Sequence, residues 1–250
     1  AATLRTRLES LGISDRSRIV VYFSRNQLSP GTRVIFTLDW IGLGDRTSLL
    51  DGGMITWKKE GGRVTNEVTA VDRGKLTAKP TKSLVVDAKW VSENAAKPGI
   101  ALIDARSRSH YDGVSAGMKK SGHIPGARSL PHEQVGNDAL RIQPEATLRA
   151  LLTSAGVKPG DSVVGYCHIG QYATAVLFAA RTLRHKVLLY DGSFHDWEKR
   201  DLPVERARGL VRRRGLCRLR ERDAGGAPLD GRGRHRGGRR RGARHLRPGV

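Results

Sequence analysis

Short apolar runs alternate with amphipathic stretches along residues 100–190, which is the pattern of a fold built from βα units. Three apolar runs have the length of buried strands: residues 100–103, 163–166 and 187–190. Two stretches between them repeat apolar residues at helical spacing: residues 144–156, bounded by Pro144 and Gly156, and residues 171–184. This alternation predicts an α/β fold in which helices flank both faces of a central, mainly parallel sheet.

An internal repeat relates the start of the chain to its second half. Residues 8–13 and 19–23 parallel residues 152–157 and 163–167, and residues 50–57 parallel residues 190–197. Such self-similarity predicts two copies of one structural unit. The first copy begins in the middle of that unit. We therefore expect the back half of an N-terminal domain, a linker, a complete domain and a tail, with these boundaries: residues 1–64, 65–83, 84–205 and 206–250.

Positive charge is concentrated in the tail. The formal net charge is +21, but residues 206–250 hold 16 arginines and only three acidic residues, which leaves +8 for the rest. The tail contains no Phe, Tyr or Trp, so it cannot bury enough apolar surface to fold and is predicted to be disordered or spurious. The alternative is an Arg/Gly-rich nucleic-acid-binding segment. The lack of aromatic residues for base stacking makes nucleic-acid binding the less favoured interpretation.

Signals for membrane insertion or secretion are not found in the sequence. No apolar stretch approaches the length of a transmembrane helix, and residues 1–10 hold no signal-peptide core. Cys167 and Cys217 form neither a CxxC motif nor a disulfide framework, which favours a reducing compartment. We therefore expect a cytoplasmic protein that has no membrane partner.

Cys167 is the candidate nucleophile of the chain. It comes directly after the apolar run 163–166 and before a helix, at the carboxyl end of a strand where α/β folds bind ligands. Residues 167–172 are named the cysteine loop here. The backbone N–H groups of this loop, together with the N-terminus of the helix that follows, would stabilise a thiolate without a metal. Gly170 would let the backbone curl around the sulfur. A buried structural cysteine is the alternative that this pattern leaves open.

Five segments resemble the two-domain rhodanese sulfurtransferases. In chain order they are residues 102–107 with Tyr111 and Gly113, residues 121–127, the CxxGxx cysteine loop, residues 190–193 with Trp197, and residues 201–204. The resemblance covers about residues 84–205. It implies a rhodanese-like fold and a sulfurtransferase that needs no metal or organic cofactor. Residues 1–64 resemble the inactive N-terminal domain of the same family.

The resemblance also implies roles for individual residues. The Cys167 thiolate would take sulfur from a small-molecule donor as a persulfide and pass it to a thiophilic acceptor such as cyanide or a thiol. The neighbouring positions would bind substrate: His168, Ile169, Gly170, Gln171, Tyr172 and Ala173. Asp104 and Arg106 would support the loop, with a purely structural ion pair as the alternative. His110 would help to bind the donor anion. Four further residues are interpreted as architectural: His123, Tyr190, Asp191 and Trp197.

The donor is predicted from the cysteine loop. Thiosulfate-preferring loops of the family usually carry a cation beside the cysteine, whereas this loop has His168, only partly charged near neutral pH, and apolar Ile169. Loops that prefer 3-mercaptopyruvate are small beside the cysteine and end in Val-Thr. Gln171 and Tyr172 match neither type. We take thiosulfate as the preferred donor and 3-mercaptopyruvate as the alternative.

Two other functions are compatible with a cysteine in such a loop. A cysteine-dependent phosphatase needs an arginine six residues after the nucleophile to hold the phosphoryl oxygens, and this position is Ala173, which excludes that activity. A catalytically inactive rhodanese-like binding or regulatory module is the stronger alternative. The partial first domain supports this alternative. The half that is missing would form part of the interdomain wall that flanks the active site and excludes water.

Overall fold

The computed structural model describes residues 1–24, 27–77, 79–115 and 120–206. Except for Arg206, the predicted tail lies outside the described residues, and so does Cys217. Within the described ranges, no helix is both long and apolar enough to cross a lipid bilayer.

Helices and strands alternate along most of the chain. The helices are α1 (Ala2–Ser10), α2 (Ser29–Trp40), α3 (Gly53–Lys59), α4 (Ala88–Asn94), α5 (Arg108–Asp112), α6 (Glu145–Ser154), α7 (Ala173–Thr182) and α8 (Ser193–Lys199). The strands are β1 (Ile19–Val21), β2 (Thr47–Leu49), β3 (Val85–Val86), β4 (Ile100–Asp104), β5 (Arg128–Ser129), β6 (Ser162–Tyr166) and β7 (Val187–Tyr190). Short 3₁₀ turns span Gly44–Arg46, Lys82–Leu84 and His132–Val135.

A five-stranded parallel sheet forms the centre of the fold. Its strand order is β3-β7-β6-β4-β5, and every neighbouring pair is parallel. Since parallel strands end at one edge, the carboxyl ends of β4, β6 and β7 lie together. That edge carries the end of β4 at Asp104 and the start of the cysteine loop. The predicted α/β fold with a parallel central sheet is confirmed.

Alternate residues of each strand enter two different cores. On β4, Ala101 and Ile103 join the core that α6 and α7 cover, whereas Leu102 joins the core that α4 and α8 cover. The neighbouring strand β6 alternates in the same way, with Val163 in the first core and Val164 in the second. Both faces of the sheet are therefore buried, which explains the nearly continuous apolar runs of these strands.

Two predicted helices are shorter in the structure. The stretch predicted to be helical from residue 171 begins at Ala173, because residues 171 and 172 form a turn that belongs to the cysteine loop. It ends at Thr182, two residues before Arg184, which has a φ of 66° that a helix does not allow. Helix α6 begins directly after Pro144, as Pro at a helix start predicts.

The first part of the chain forms a smaller βαβ unit. Strands β1 and β2 pair in parallel, α2 connects them, and α3 follows. The N–H of Met54 donates to the carbonyl of Phe23 at 2.9 Å, and the N–H of Phe194 donates to the carbonyl of Cys167 at 3.0 Å. Since Phe23 and Cys167 are equivalent in the predicted repeat, this local geometry agrees with it, and the repeat itself stays a prediction.

Residues 73–76, which lie within the predicted linker 65–83, pack against α1. The N–H of Gly74 donates to the carbonyl of Glu9 at 2.8 Å, and the guanidinium of Arg73 pairs with the Glu9 carboxylate at 2.8 Å. Leu76 is buried in a small core that Leu8 shares. These contacts hold the segment on the first part of the chain.

Helix α2 packs on α7 and thereby places the first part of the chain beside the cysteine loop. Phe23 and Phe36 enter the same core as Leu177 of α7. The hydroxyl of Thr32 hydrogen-bonds the hydroxyl of Thr174 at 3.0 Å, and both side chains are buried. The loop therefore has a neighbour from outside residues 84–205.

Candidate active site

Cys167 is fully buried at the end of β6, and α8 holds its backbone. The N–H of Cys167 donates to Oγ of Ser193 at 3.2 Å, and that hydroxyl donates to the carbonyl of Tyr190 at 2.9 Å. The carbonyl of Cys167 accepts from Phe194, and the carbonyl of His168 accepts from His195 at 3.1 Å. Three hydrogen bonds thus tie the start of the cysteine loop to the first turn of α8, and a fourth ties Ser193 to the end of β7.

Beyond Cys167 the loop has unpaired backbone donors. In the part of the chain that the structure describes, no acceptor lies within hydrogen-bond geometry of the N–H groups of residues 168–173. These groups directly precede α7, a ten-residue helix whose N-terminus carries partial positive charge. Consecutive unpaired N–H groups at a helix N-terminus are an anion-binding arrangement. The loop can therefore stabilise negative charge on Cys167.

Gly170 lies against an ion pair between two parts of the chain. Its φ is +84°, and a Cβ there would stand 2.7 Å from Oδ1 of Asp191 and 3.3 Å from Nη1 of Arg33. These two side chains pair at 2.6 Å. Only a residue without a side chain allows this approach. The charged neighbour of the cysteine loop is thus Arg33 of α2, paired with Asp191.

Replacement of Gly170 by alanine is expected to destabilise the fold more than replacement of Gly160. Gly160 has a similar φ of +86°, but a Cβ there would meet no atom within 4 Å. Gly160→Ala therefore measures the backbone strain alone, roughly 1–2 kcal/mol. Gly170→Ala adds the collision with Asp191 and should cost about 1–3 kcal/mol more in the free energy of unfolding by urea. If both replacements lowered the free energy of unfolding equally, the Asp191 side chain would be shown to move away from an alanine at position 170 without cost.

Asp104 and Arg106 form a buried ion pair at the end of β4. Nη2 of Arg106 lies 2.6 Å from Oδ2 of Asp104 and also donates to the carbonyl of Gly122 at 2.6 Å. The hydroxyl of Tyr166 donates to Oδ2 of Asp104 at 2.7 Å. Burial raises the pKa of Tyr166 well above its ordinary value, so it stays a donor. Burial acts to lower the pKa of Arg106, but the hydrogen bonds and charge of Asp104 outweigh it and raise that pKa.

The buried pair reaches the cysteine loop through an aromatic ring. The guanidinium carbon of Arg106 lies 3.9 Å from the ring centroid of Phe194, at cation–π distance. Phe194 is the residue whose N–H binds the carbonyl of Cys167. Arg106 is therefore placed to position the loop through Phe194, while Asp104 and the carbonyl of Gly122 hold the guanidinium of Arg106.

Imidazole rings gather on the outer side of the loop. The rings of His168 and His195 meet edge to face with centroids 6.0 Å apart, and Nδ1 of His110 lies 2.8 Å from Oγ of Ser107. Burial lowers the pKa of His168, and the charges of His195, Arg106 and His110 lower it further, against the opposing Glu198. His168 is therefore mostly neutral at pH 7. Among the described residues, no three His, Cys, Asp or Glu side chains form a group that could hold a metal ion.

The remaining residues of the loop differ in their exposure to solvent. Ile169 is 62% exposed and Tyr172 is 37% exposed, Gln171 is half-buried, and Ala173 is buried at the start of α7. The ring of Tyr172 stacks on the ring of His132, with centroids 4.0 Å apart and planes 5° apart. His168, Ile169 and Tyr172 are therefore the exposed side chains of the cysteine loop.

Residues interpreted as architectural have structural partners, and one of them also touches the loop. His123 is buried, binds the carbonyl of Tyr111 through Nδ1 at 2.8 Å and stacks on the Tyr111 ring. The hydroxyl of Tyr190 donates to Asp196, and the indole N–H of Trp197 donates to the carbonyl of Pro203 at 2.7 Å. Asp191 differs, because its carboxylate pairs with Arg33 and also lies against Gly170 of the cysteine loop.

Five residues of the described site are not predicted from the sequence: Arg33, His132, Ser193, Phe194 and His195. Ser193 had no signal, because an Asp-Gly turn predicts a positive φ at Gly192, whereas Gly192 has a φ of −59° and Ser193 has a φ of 55°. Arg33 had none, because its contact with the loop arises from the packing of α2 on α7.

Comparison with known proteins identifies the family. The rhodanese-like domain matches residues 87–200. The chain is 32% identical over 202 residues to a probable 3-mercaptopyruvate sulfurtransferase of Pseudomonas aeruginosa, covering 78% of this chain and 70% of that protein. It is 28% identical over 205 residues to a putative thiosulfate sulfurtransferase of Synechococcus elongatus, covering 78% and 63%. It is 30% identical over 205 residues to the thiosulfate sulfurtransferase of Rattus norvegicus, covering 79% and 68%.

Solved structures share the fold. The wild-type structure of EanB aligns with a TM-score of 0.72 at 22% identity, over 82% of this chain and 54% of that one. A complex of an EanB variant with hercynine gives the same values. The chain thus spans about two thirds of these curated relatives and just over half of these solved chains. From the sequence matches, we conclude that the chain belongs to the rhodanese family of sulfurtransferases.

Proposed function

We propose that the chain transfers sulfane sulfur through a persulfide on Cys167. The thiolate attacks the outer sulfur of thiosulfate, the S–S bond of the donor breaks, and sulfite leaves with the bonding electron pair. An acceptor such as cyanide then attacks the outer sulfur of the persulfide. Thiocyanate leaves, and the electron pair of the enzyme's S–S bond returns to Cys167 as a thiolate. A thiol can accept the sulfur in the same way.

The unpaired N–H groups of residues 168–173 are the observation that carries this proposal. Both resting forms of the enzyme, the thiolate and the persulfide, are anions. The same backbone donors would stabilise both, so that the charge remains in one place through the cycle. Asp104 and Arg106 act as positioning residues, since they reach the loop through Phe194 and do not contact the donor.

Thiosulfate is the proposed preferred donor, and 3-mercaptopyruvate the alternative. Recognition of a donor anion would rest on the backbone donors and on His110, with His168 adding charge when protonated. The curated relatives carry either activity in their names, so they do not choose between the donors. Because Cys167 is fully buried, either donor reaches the sulfur only when the structure around it opens.

The contribution of His168 should depend on pH. Since its pKa lies below the ordinary value, the ring becomes a cation only as the pH falls below about 6.5, and only then does it attract dianionic thiosulfate. The ratio of kcat/KM for the wild type to that for His168→Gln should rise about threefold or more between pH 7.5 and pH 5.5. The ratio removes effects common to both proteins, such as thiol ionisation. A flat ratio would remove His168 from donor binding.

Initial-rate kinetics test the proposed cycle. With thiosulfate and cyanide varied together, double-reciprocal plots should give parallel lines, since sulfite leaves before the acceptor reacts. Intersecting lines would contradict a persulfide intermediate that forms before the acceptor binds. The same assay with 3-mercaptopyruvate gives the donor preference as a ratio of kcat/KM values.

A second candidate function is a catalytically inactive rhodanese-like binding module. The complete burial of Cys167 favours it, because a sulfur without accessible surface cannot react until the loop opens. Absence of turnover with both donors, from a protein that unfolds cooperatively, would support this second function.

A further inference from the structure

A cavity of about 400 Å³ lies beside the cysteine loop, between α2 and the β3–β7 edge of the sheet. Its walls are mostly apolar, and the cavity has one charged side. The residues that line it are Arg33, Phe36, Thr37, Trp40, Val85, Leu189 and Asp191. Neither the fold nor the proposed sulfur transfer accounts for this space.

The charged side of the cavity is the ion pair of Arg33 and Asp191. This ion pair engages only one nitrogen of the guanidinium and one oxygen of the carboxylate. Nη1 of Arg33 donates to Oδ1 of Asp191 at 2.6 Å. Among the described residues, no acceptor binds Nε or Nη2 of Arg33, and no donor binds Oδ2 of Asp191. The two side chains are 35% and 46% exposed, so a solute can reach them. The pair thus offers two donors and one acceptor side by side.

We propose that this cavity binds a small α-amino acid with an apolar side chain. Its carboxylate would pair with the Nε–Nη2 edge of Arg33, which suits two parallel hydrogen bonds to a carboxylate. Its ammonium group would donate to Oδ2 of Asp191. Its side chain would lie in the apolar part of the cavity, against Phe36, Trp40 and Leu189.

A zwitterion fits this pair better than a simple ion does. Arg33 and Asp191 together carry no net charge, so an isolated carboxylate would meet Asp191 and an isolated amine would meet Arg33, each with a like-charge repulsion. A molecule that carries both charges compensates both groups. The apolar walls then select the side chain, because a polar one would lose its hydration there.

Isothermal titration calorimetry with L-phenylalanine tests the site independently of sulfur transfer. The wild type should bind L-phenylalanine with a Kd on the order of 1–10 mM. This affinity lies within the limit that the roughly twelve non-hydrogen atoms of the ligand set on its binding free energy. Three related compounds each lack one recognised part, and each should bind at least tenfold more weakly: 3-phenylpropanoate, 2-phenylethylamine and glycine.

Variants locate the binding. Arg33→Gln and Asp191→Asn each remove one charge, and Val85→Trp fills the cavity from the exposed edge strand; each should weaken the binding of L-phenylalanine at least tenfold. Val34→Trp places the same bulky group on the exposed side of α2, away from the cavity. Arg149→Gln removes an arginine from an exposed ion pair on α6. These two controls should bind like the wild type.

Three results would overturn the proposal. One is the absence of saturable binding to the wild type at up to about tenfold the expected Kd. Another is unchanged binding in both Arg33→Gln and Val85→Trp, with their folds verified by thermal unfolding. The third is equal affinity for 3-phenylpropanoate, since the ammonium group would then contribute nothing.

Discussion

Replacement of Cys167 by serine is expected to abolish sulfur transfer, with kcat/KM lowered by at least about 10⁴-fold. A serine hydroxyl is not ionised near neutral pH and forms no persulfide. The backbone N–H groups of the cysteine loop would remain, but they would have no anion to stabilise. The loss should be the same with thiosulfate and 3-mercaptopyruvate, because both donors would react with the same sulfur.

The second cysteine provides the matched control. Cys217 lies outside the described residues, and Cys217→Ser should keep the activity of the wild type. Urea unfolding of both variants separates chemistry from folding, since a hydroxyl at the fully buried position 167 carries a cost of its own. If Cys167→Ser folds and keeps more than about a tenth of the activity, Cys167 is not the sulfur carrier.

Replacement of Asp104 by asparagine is expected to lower the free energy of unfolding by about 3 kcal/mol or more. The carboxylate is fully buried and compensates the buried guanidinium of Arg106 at 2.6 Å. An amide has nearly the same shape, but it leaves that charge unpaired, and its NH₂ group would face the donors of Arg106 or Tyr166. Removal of one partner of a buried pair costs far more than removal of one partner at the surface.

The exposed pair of Glu145 and Arg149 provides the control for Asp104. It has the same chemistry, with 2.6 Å between Nη2 and Oε1, but both side chains are exposed. Glu145→Gln should therefore change the free energy of unfolding by less than about 0.5 kcal/mol. If Asp104→Asn costs as little, the buried pair contributes little to the fold, and Arg106 does not depend on Asp104 to position Phe194.

The central sheet could be predicted from the sequence because its strands are buried on both faces. The run 187–190 coincides with β7, and the runs at 100 and 163 differ from β4 and β6 by one residue. The start of α7 was predicted two residues early. Apolar periodicity does not distinguish the last residues of a loop from the first turn of a helix.

The sequence also located the cysteine loop but not what surrounds it. The CxxGxx spacing and the position after a strand placed Cys167 and Gly170 correctly at the carboxyl edge of the sheet. The contact of Arg33 with the loop could not be predicted, because it depends on how α2 packs on α7. The complete burial of Cys167 could not be predicted either, since it depends on the tertiary packing around the loop.

Intact-protein mass spectrometry after brief exposure to a donor tests the central claim most directly. Wild type and Cys167→Ser would each be incubated with thiosulfate and, separately, with 3-mercaptopyruvate, and then desalted without reductant. The account predicts that the wild type alone gains the mass of one sulfur atom. No gain with either donor, or an equal gain on Cys167→Ser, would contradict it.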